Sequence, residues 1–188
     1  MKRIIDPVRL RMPDDVNAAL EARANSLFGD VNTARGKFSP QNGSTRTFVL
    51  IEAARCADIA VMFEGFGAPY FCLYTGEAAE DYALEAPYIA EVVEGSAFAD
   101  WLMTSAWGKG FAVFVRSQLS LVALRKHFRK FTRLHDAEAD QWYHFRFYTP
   151  EFVRGSLPMM PPRELSEFTQ DIDAILTESA DARSMYVI

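Results

Sequence analysis

The sequence predicts an α/β fold, a layered mixed sheet with flanking helices and a C-terminal helical segment, with α+β as the alternative. Three observations lead there. Short unbroken apolar runs, Phe48-Val49-Leu50-Ile51 and Phe111-Ala112-Val113-Phe114-Val115, have the length and content of strands covered on both faces. Between them lie segments with apolar residues at helical spacing, several opened by a capping residue. Two runs near residues 132–148 read as a hairpin, which makes the sheet mixed.

Each element follows from its residues. Residues 1–12 carry little pattern. Asp14 after Pro13 caps a helix on which Val16, Ala19, Leu20, Ala24 and Leu27 recur up to Gly29. Asp30 to Thr45 is rich in Asn, Gly, Ser and Thr and reads as a loop, a tether that lets the helix dock separately. The chain thus divides into an N-terminal helix and loop, 1–46, and a main domain, 47–188.

After the strand at Phe48–Ile51, Cys56–Glu64 is a helix ended by the Gly65-Phe66-Gly67 turn. Tyr70–Tyr74 is a strand, Gly76–Glu85 an acidic connector, and Pro87–Val93 a strand placed nearer an edge. Ser96 caps a helix that buries Phe98, Trp101 and Leu102 and stops at Gly108. Ser120 caps the next, whose Leu121, Leu124, Phe128 and Phe131 form one stripe.

A strand at Thr132–His135, a polar turn and a strand at Trp142–Tyr148 make the hairpin. Pro150–Pro158 is a short helix. Pro161-Pro162 opens the last helix, with Leu165, Phe168, Ile172, Ile175 and Leu176 on one face. Met185–Ile188 is an added strand or anchor.

Composition narrows the function. The 188 residues are 49% hydrophobic and 24% charged, ordinary values for a compact domain. A net charge of −5 argues against a general nucleic-acid binder. Cys56 and Cys72 sit alone in apolar segments and read as buried free thiols, which suits a reducing compartment. With no apolar stretch fit for a signal peptide or a membrane span, the expected location is the cytoplasm, with no membrane partner.

Chemistry is hard to find. The nucleophile elbow, the phosphate-cradling loop and the dinucleotide fingerprint are absent, and Gly65-x-Gly67 follows a helix, so it is a turn. His127, His135 and His144 have no His-x-x-x-His spacing. A facing His135–His144 pair beside Asp136 would be the one conceivable metal site, and no metal or cofactor is expected. Glu52, at a strand end, is the best single acid or base, or else an ion-pair partner of Arg55.

The densest signal is basic and aromatic. Ser120–His135 holds Arg125, Lys126, Arg129, Lys130 and Arg133 and no acid. Arg125 and Arg129 share one helix face, which reads either as a solvated face or as a docking patch for an acidic surface. Along Trp142–Tyr148, alternation sends Tyr143, Phe145 and Phe147 to the core and Trp142, His144, Arg146 and Tyr148 outward. The outward set holds residue types enriched at interface hot spots. Stacked on Arg, the same aromatics would suit single-stranded nucleic acid, the reading that the acidic total weakens. Arg125, Arg129, Trp142, Arg146 and Tyr148 are the candidate partner contacts.

Several of these residues carry a family resemblance. Phe48-Val49-Leu50-Ile51-Glu52-Ala53-Ala54-Arg55 opens it, followed by Ala86-Pro87-Tyr88-Ile89, then Phe98-x-x-Trp101-Leu102 with Trp107-Gly108. Arg116-Ser117-x-x-Ser120-Leu121-x-x-Leu124-Arg125-x-His127-Phe128-Arg129-Lys130-Phe131 continues it. Phe145-Arg146-Phe147-Tyr148-x-Pro150 and Leu157-Pro158 close it.

In this order the residues, from about Thr47 to Glu178, resemble the type VI secretion adaptor family, also called effector-loading chaperones. Thr149 departs from the family's usual Asp, Glu52 stands where Asp is common, and the portion before Thr47 is variable. The resemblance implies a non-catalytic cytoplasmic adaptor that binds an effector protein and helps load it onto the VgrG spike protein. The rivals are a small α/β enzyme using Glu52 or a histidine, and a nucleic-acid binder working through the basic helix 120–135.

Overall fold

A computed structural model describes residues 5–30, 45–136 and 138–188. Its centre is a seven-stranded sheet in the order β1-β9-β8-β5-β2-β4-β3. The strands are β1 (Val8–Arg11), β2 (Arg46–Glu52), β3 (Tyr70–Cys72), β4 (Pro87–Val92), β5 (Ala112–Ser117), β8 (Ala174–Glu178) and β9 (Ser184–Val187). A separate hairpin pairs β6 (Arg133–Asp136) with β7 (Gln141–His144).

Helices cover both faces, so the layered α/β architecture is the one the apolar runs require. On β2, Val49 and Ile51 face one layer, and Phe48 and Leu50 the other. The first layer comprises α1 (Val16–Phe28), α2 (Ile59–Phe66) and α4 (Ala97–Trp101), which runs on into a wide turn at Leu102–Ala106. The second comprises α5 (Leu121–Arg129), α6 (Pro162–Phe168) and the turns between Phe152 and Met159. Phe48, Val49, Leu50 and Ile51 are each at most 1% exposed. Burial of such side chains contributes roughly 1.5–3 kcal/mol apiece.

Local signals place the helices. Asp15, one residue after the expected Asp14, caps α1 by accepting from the Ala18 amide at 2.9 Å. Ser96 and Ser120 cap α4 and α5 in the same way. Gly67, at φ 65°, ends α2 in the left-handed region that glycine tolerates.

The structure revises several expectations. Every pairing in the sheet is antiparallel. The hairpin does not join that sheet, so it does not make it mixed. β4 does lie near an edge, as expected, between β2 and the edge strand β3, and is almost completely buried. The acidic connector contains a short helix, α3 (Glu77–Asp81). The last helix stops at Phe168; Asp171 then turns with φ 60°, and Ile175 and Leu176 lie on opposite faces of β8. The stripe was interrupted because this segment fills the slot between β5 and β9.

Met185–Val187 is the added strand foreseen, and it holds β1, which the patternless first residues concealed. α1 packs Ala19 and Leu27 into the core. Thr47 Oγ1 donates to the Leu27 carbonyl, and buried Arg116 donates to that of Gly29. The tether assigned to Asp30–Thr45 falls almost wholly outside the described residues. Among those described, no helix is long and apolar enough to cross a membrane.

Candidate functional site

The hairpin rises from the end of α5 and returns beside the end of β2. Its attachment is an ion pair. Arg146 Nε donates to Glu52 Oε1 at 2.8 Å and Arg146 Nη2 to Glu52 Oε2 at 2.5 Å, a two-pronged grip. Glu52 is 4% exposed, whereas the Arg146 side chain is 52% exposed. These hydrogen bonds push the Arg146 pKa above its ordinary value. Arg55 Nε reaches the same carboxylate at 3.4 Å, as the sequence suggested, while its Nη1 pairs with Glu151 at 3.0 Å.

Beside the pair lies a cleft of about 320 Å³ bordered by Glu52, Tyr74, Tyr82, His144, Arg146 and Tyr148. Tyr74 Oη stands 3.1 Å from His144 Nδ1 and also hydrogen-bonds the Tyr148 hydroxyl. Burial, then the bond to Tyr74, pushes the Tyr148 pKa well above its ordinary range. Both oxygens of Glu52 are engaged by arginine. The cleft is a polar latch joining the hairpin root to the β3–α3 loop.

The five candidate contacts therefore separate. Tyr148, expected outward, is 2% exposed, and Tyr143, expected in the core, is 48% exposed. Alternation fails because β7 ends at His144 and the backbone turns at Phe147-Tyr148. Phe145 and Phe147 do join the core.

Arg125 and Arg129 share a face, but it points at the sheet edge. Arg125 donates to the Cys72 carbonyl at 3.1 Å and lies 4.8 Å over the Phe71 ring; Arg129 donates to Thr75 Oγ1 at 2.9 Å. Trp142 alone matches its expected setting fully, at 62% exposure. Its ring packs 4.8 Å from His135.

On the hairpin, Leu134 lies opposite Tyr143, and His135 opposite Trp142. Leu134, like Tyr143, is 48% exposed, so both faces of this ribbon present apolar surface. His144 sits opposite Arg133, so His135 and His144 do not face each other. Among the described residues no group of His, Cys, Asp and Glu could hold a metal ion. His127 is a core histidine on the Phe168 carbonyl at 2.9 Å. Cys56 and Cys72 are free and half-buried rather than fully buried, and burial raises both thiol pKa values.

Sequence reasoning missed a second anchored carboxylate. Glu178, 4% exposed, accepts the Gly108 amide and, at 2.5 Å, the Gly110 amide. Gly108 and Gly110 have φ of 89° and 69°, and their amides, either side of Lys109, aim at one carboxylate. The Gly-Lys-Gly spacing was its only visible trace.

No curated protein and no solved structure matches this chain. A family profile described as a domain of unknown function, DUF4123, matches residues 47–167. That span runs from β2 through the hairpin to α6, and the chain belongs to this family.

Proposed function

We propose that this chain is a non-catalytic adaptor that binds a type VI secretion effector in the cytoplasm and promotes its loading onto the VgrG spike protein. The observation that carries the reading is the free-standing hairpin, with Trp142, Tyr143 and Leu134 open to solvent on a ribbon anchored through Arg146. An isolated two-stranded ribbon is marginal in water, and exposed aromatics on it are suited to burial against another protein. The ordered framework from Phe48 to Pro158 supports the same reading.

The rival readings lose ground on specific contacts. An enzyme using Glu52 needs that carboxylate to reach a substrate, and Arg146 engages both its oxygens. A nucleic-acid binder working through this helix keeps exposed Lys126, Lys130 and Arg133 but not Arg125, which bonds the β3 strand, and the net charge of −5 weighs against it. The deciding experiment is recovery of tagged protein from its native cell with secretion genes expressed. Recovery of both an effector and the spike protein, reduced by Trp142→Ala, is the expected result. Recovery of neither by the wild-type chain would sink the proposal.

A further inference from the structure

The hairpin has edges as well as faces. Phe145 donates to the Thr132 carbonyl at 3.0 Å, in register with the β6–β7 ladder. Antiparallel pairs alternate between bonded and non-bonded, so Leu134–Tyr143 and Asp136–Gln141 bond across the ribbon. The amides and carbonyls of Arg133 and His135 therefore point out from β6, and those of Trp142 and His144 out from β7. Among the described residues these outward groups have no backbone partner. Arg133, Leu134 and His135 are all exposed, so the β6 edge is open.

Charge distinguishes the two ends of that edge. At its root stand exposed Lys126, Lys130 and Arg133, with no ion pair among the described residues. At its tip stands Asp140, 3.1 Å from His135. The root is cationic in a chain whose net charge is −5, and Arg129 is already bound to Thr75.

We propose that the β6 edge is a strand-addition site. An extended segment of the effector pairs its backbone with Arg133 and His135, its acidic end at the hairpin root and its neutral or basic end beside Asp140. This rests on the adaptor reading and specifies how the partner is held. Main-chain bonds supply the grip, and the alternating side chains of the added strand meet the Leu134–Tyr143 and His135–Trp142 faces. Pairing would also convert a two-stranded ribbon into a three-stranded one, the smallest sheet with independent stability.

The test uses the full chain and the effector that copurifies with it. His135→Pro removes an outward amide and leaves the β6–β7 bonds intact, so the hairpin survives while the edge is blocked. Trp142→Pro does the same to the β7 edge. The expected result is at least about tenfold weaker effector binding for His135→Pro than for His135→Ala, which loses the same ring and keeps both edges. Amide exchange at Arg133 and His135 should slow in the wild-type complex.

Lys130→Glu with Arg133→Glu, which alters only exposed side chains, should weaken binding comparably and flatten its salt dependence. Effector bound with undiminished affinity by His135→Pro, and with fast exchange at both amides, overturns the β6 site while leaving the adaptor reading standing. Loss on Trp142→Pro well beyond that on Trp142→Ala, with His135→Pro binding like His135→Ala, overturns it in favour of β7. Protection of the edge by a second copy of this chain, seen as a dimer in light scattering without effector, overturns it too. A wild-type chain that recovers no effector removes the adaptor reading and this inference together.

Discussion

Arg146 closes on Glu52 across 94 positions of sequence, and the two sit in unlike surroundings: the carboxylate is buried and the guanidinium half open. Removing one partner from a buried pair costs most when the group left behind cannot reach water. Arg146→Met should therefore destabilise more than Glu52→Gln. We expect about 2–3 kcal/mol for the first and about 1 kcal/mol for the second, with Arg55 offsetting part of the loss. Urea unfolding of both variants measures the difference, and equal losses would contradict the asymmetry.

Trp142 offers a test that separates binding from folding. Its ring is largely in water and, among the described residues, packs against the ring of His135, so Trp142→Ala should change stability by no more than about 0.5 kcal/mol. Partner affinity should fall by about 2 kcal/mol or more, roughly thirtyfold. A drop in thermal midpoint that accounts for the lost binding would reassign Trp142 to the structure of the hairpin.

The two faces of α5 predict opposite outcomes. Phe128 stacks on Phe147 at 5.4 Å and packs against Phe168 at 5.9 Å, so Phe128→Ala should cost about 3–5 kcal/mol. Lys126→Glu, on the exposed face, should stay within about 0.5 kcal/mol. Calorimetry on the pair suffices, and a large loss from Lys126→Glu would mean that the outer face is engaged within the chain.

His127 makes stability depend on pH. Burial, opposed in part by its bond to the Phe168 carbonyl, lowers its pKa in the folded chain below the ordinary 6.5. The unfolded chain binds the proton first, so this contribution is complete above pH 6.5 and is lost as pH falls through the lower folded value. Against His127→Gln, which keeps a side-chain N–H donor, the wild type should lose stability between pH 6.5 and the lower folded value by up to about 1.4 kcal/mol per pH unit. A difference that is flat, or grows on acidification, contradicts the assignment.

Much of this architecture was legible because some segments carry their answer locally. β2 and β5 are apolar on every side, and the stripe on α5 follows a serine cap. β1 was not legible: Val8 and Leu10 alternate with arginines over four residues, and only β9 makes them a strand. β8 was misread since Ile172, Ile175 and Leu176 also continue a helical spacing from Leu165. The competition between β5 and β9 for a central partner decides it.

The site followed the same division. Trp142 was found from residue type. The grip of Arg146 on Glu52 and the bonds of Arg125 to Cys72 and of Arg129 to Thr75 depend on contacts distant in sequence, which spacing on one helix cannot reveal.

The pairing of Val8 with Val187 also sets a schedule for the newborn chain. At about 5–20 residues per second, a ribosome needs roughly ten to forty seconds between the first of these strands and the last. Through that interval β1 has no partner, and β8, once made, lacks the neighbour on its outer side. The molecule therefore passes through a stage in which an apolar rim is open to any extended chain nearby. Completion of the sheet waits on β9, so until Ser184–Val187 is made both β1 and the outer side of β8 stay unpaired.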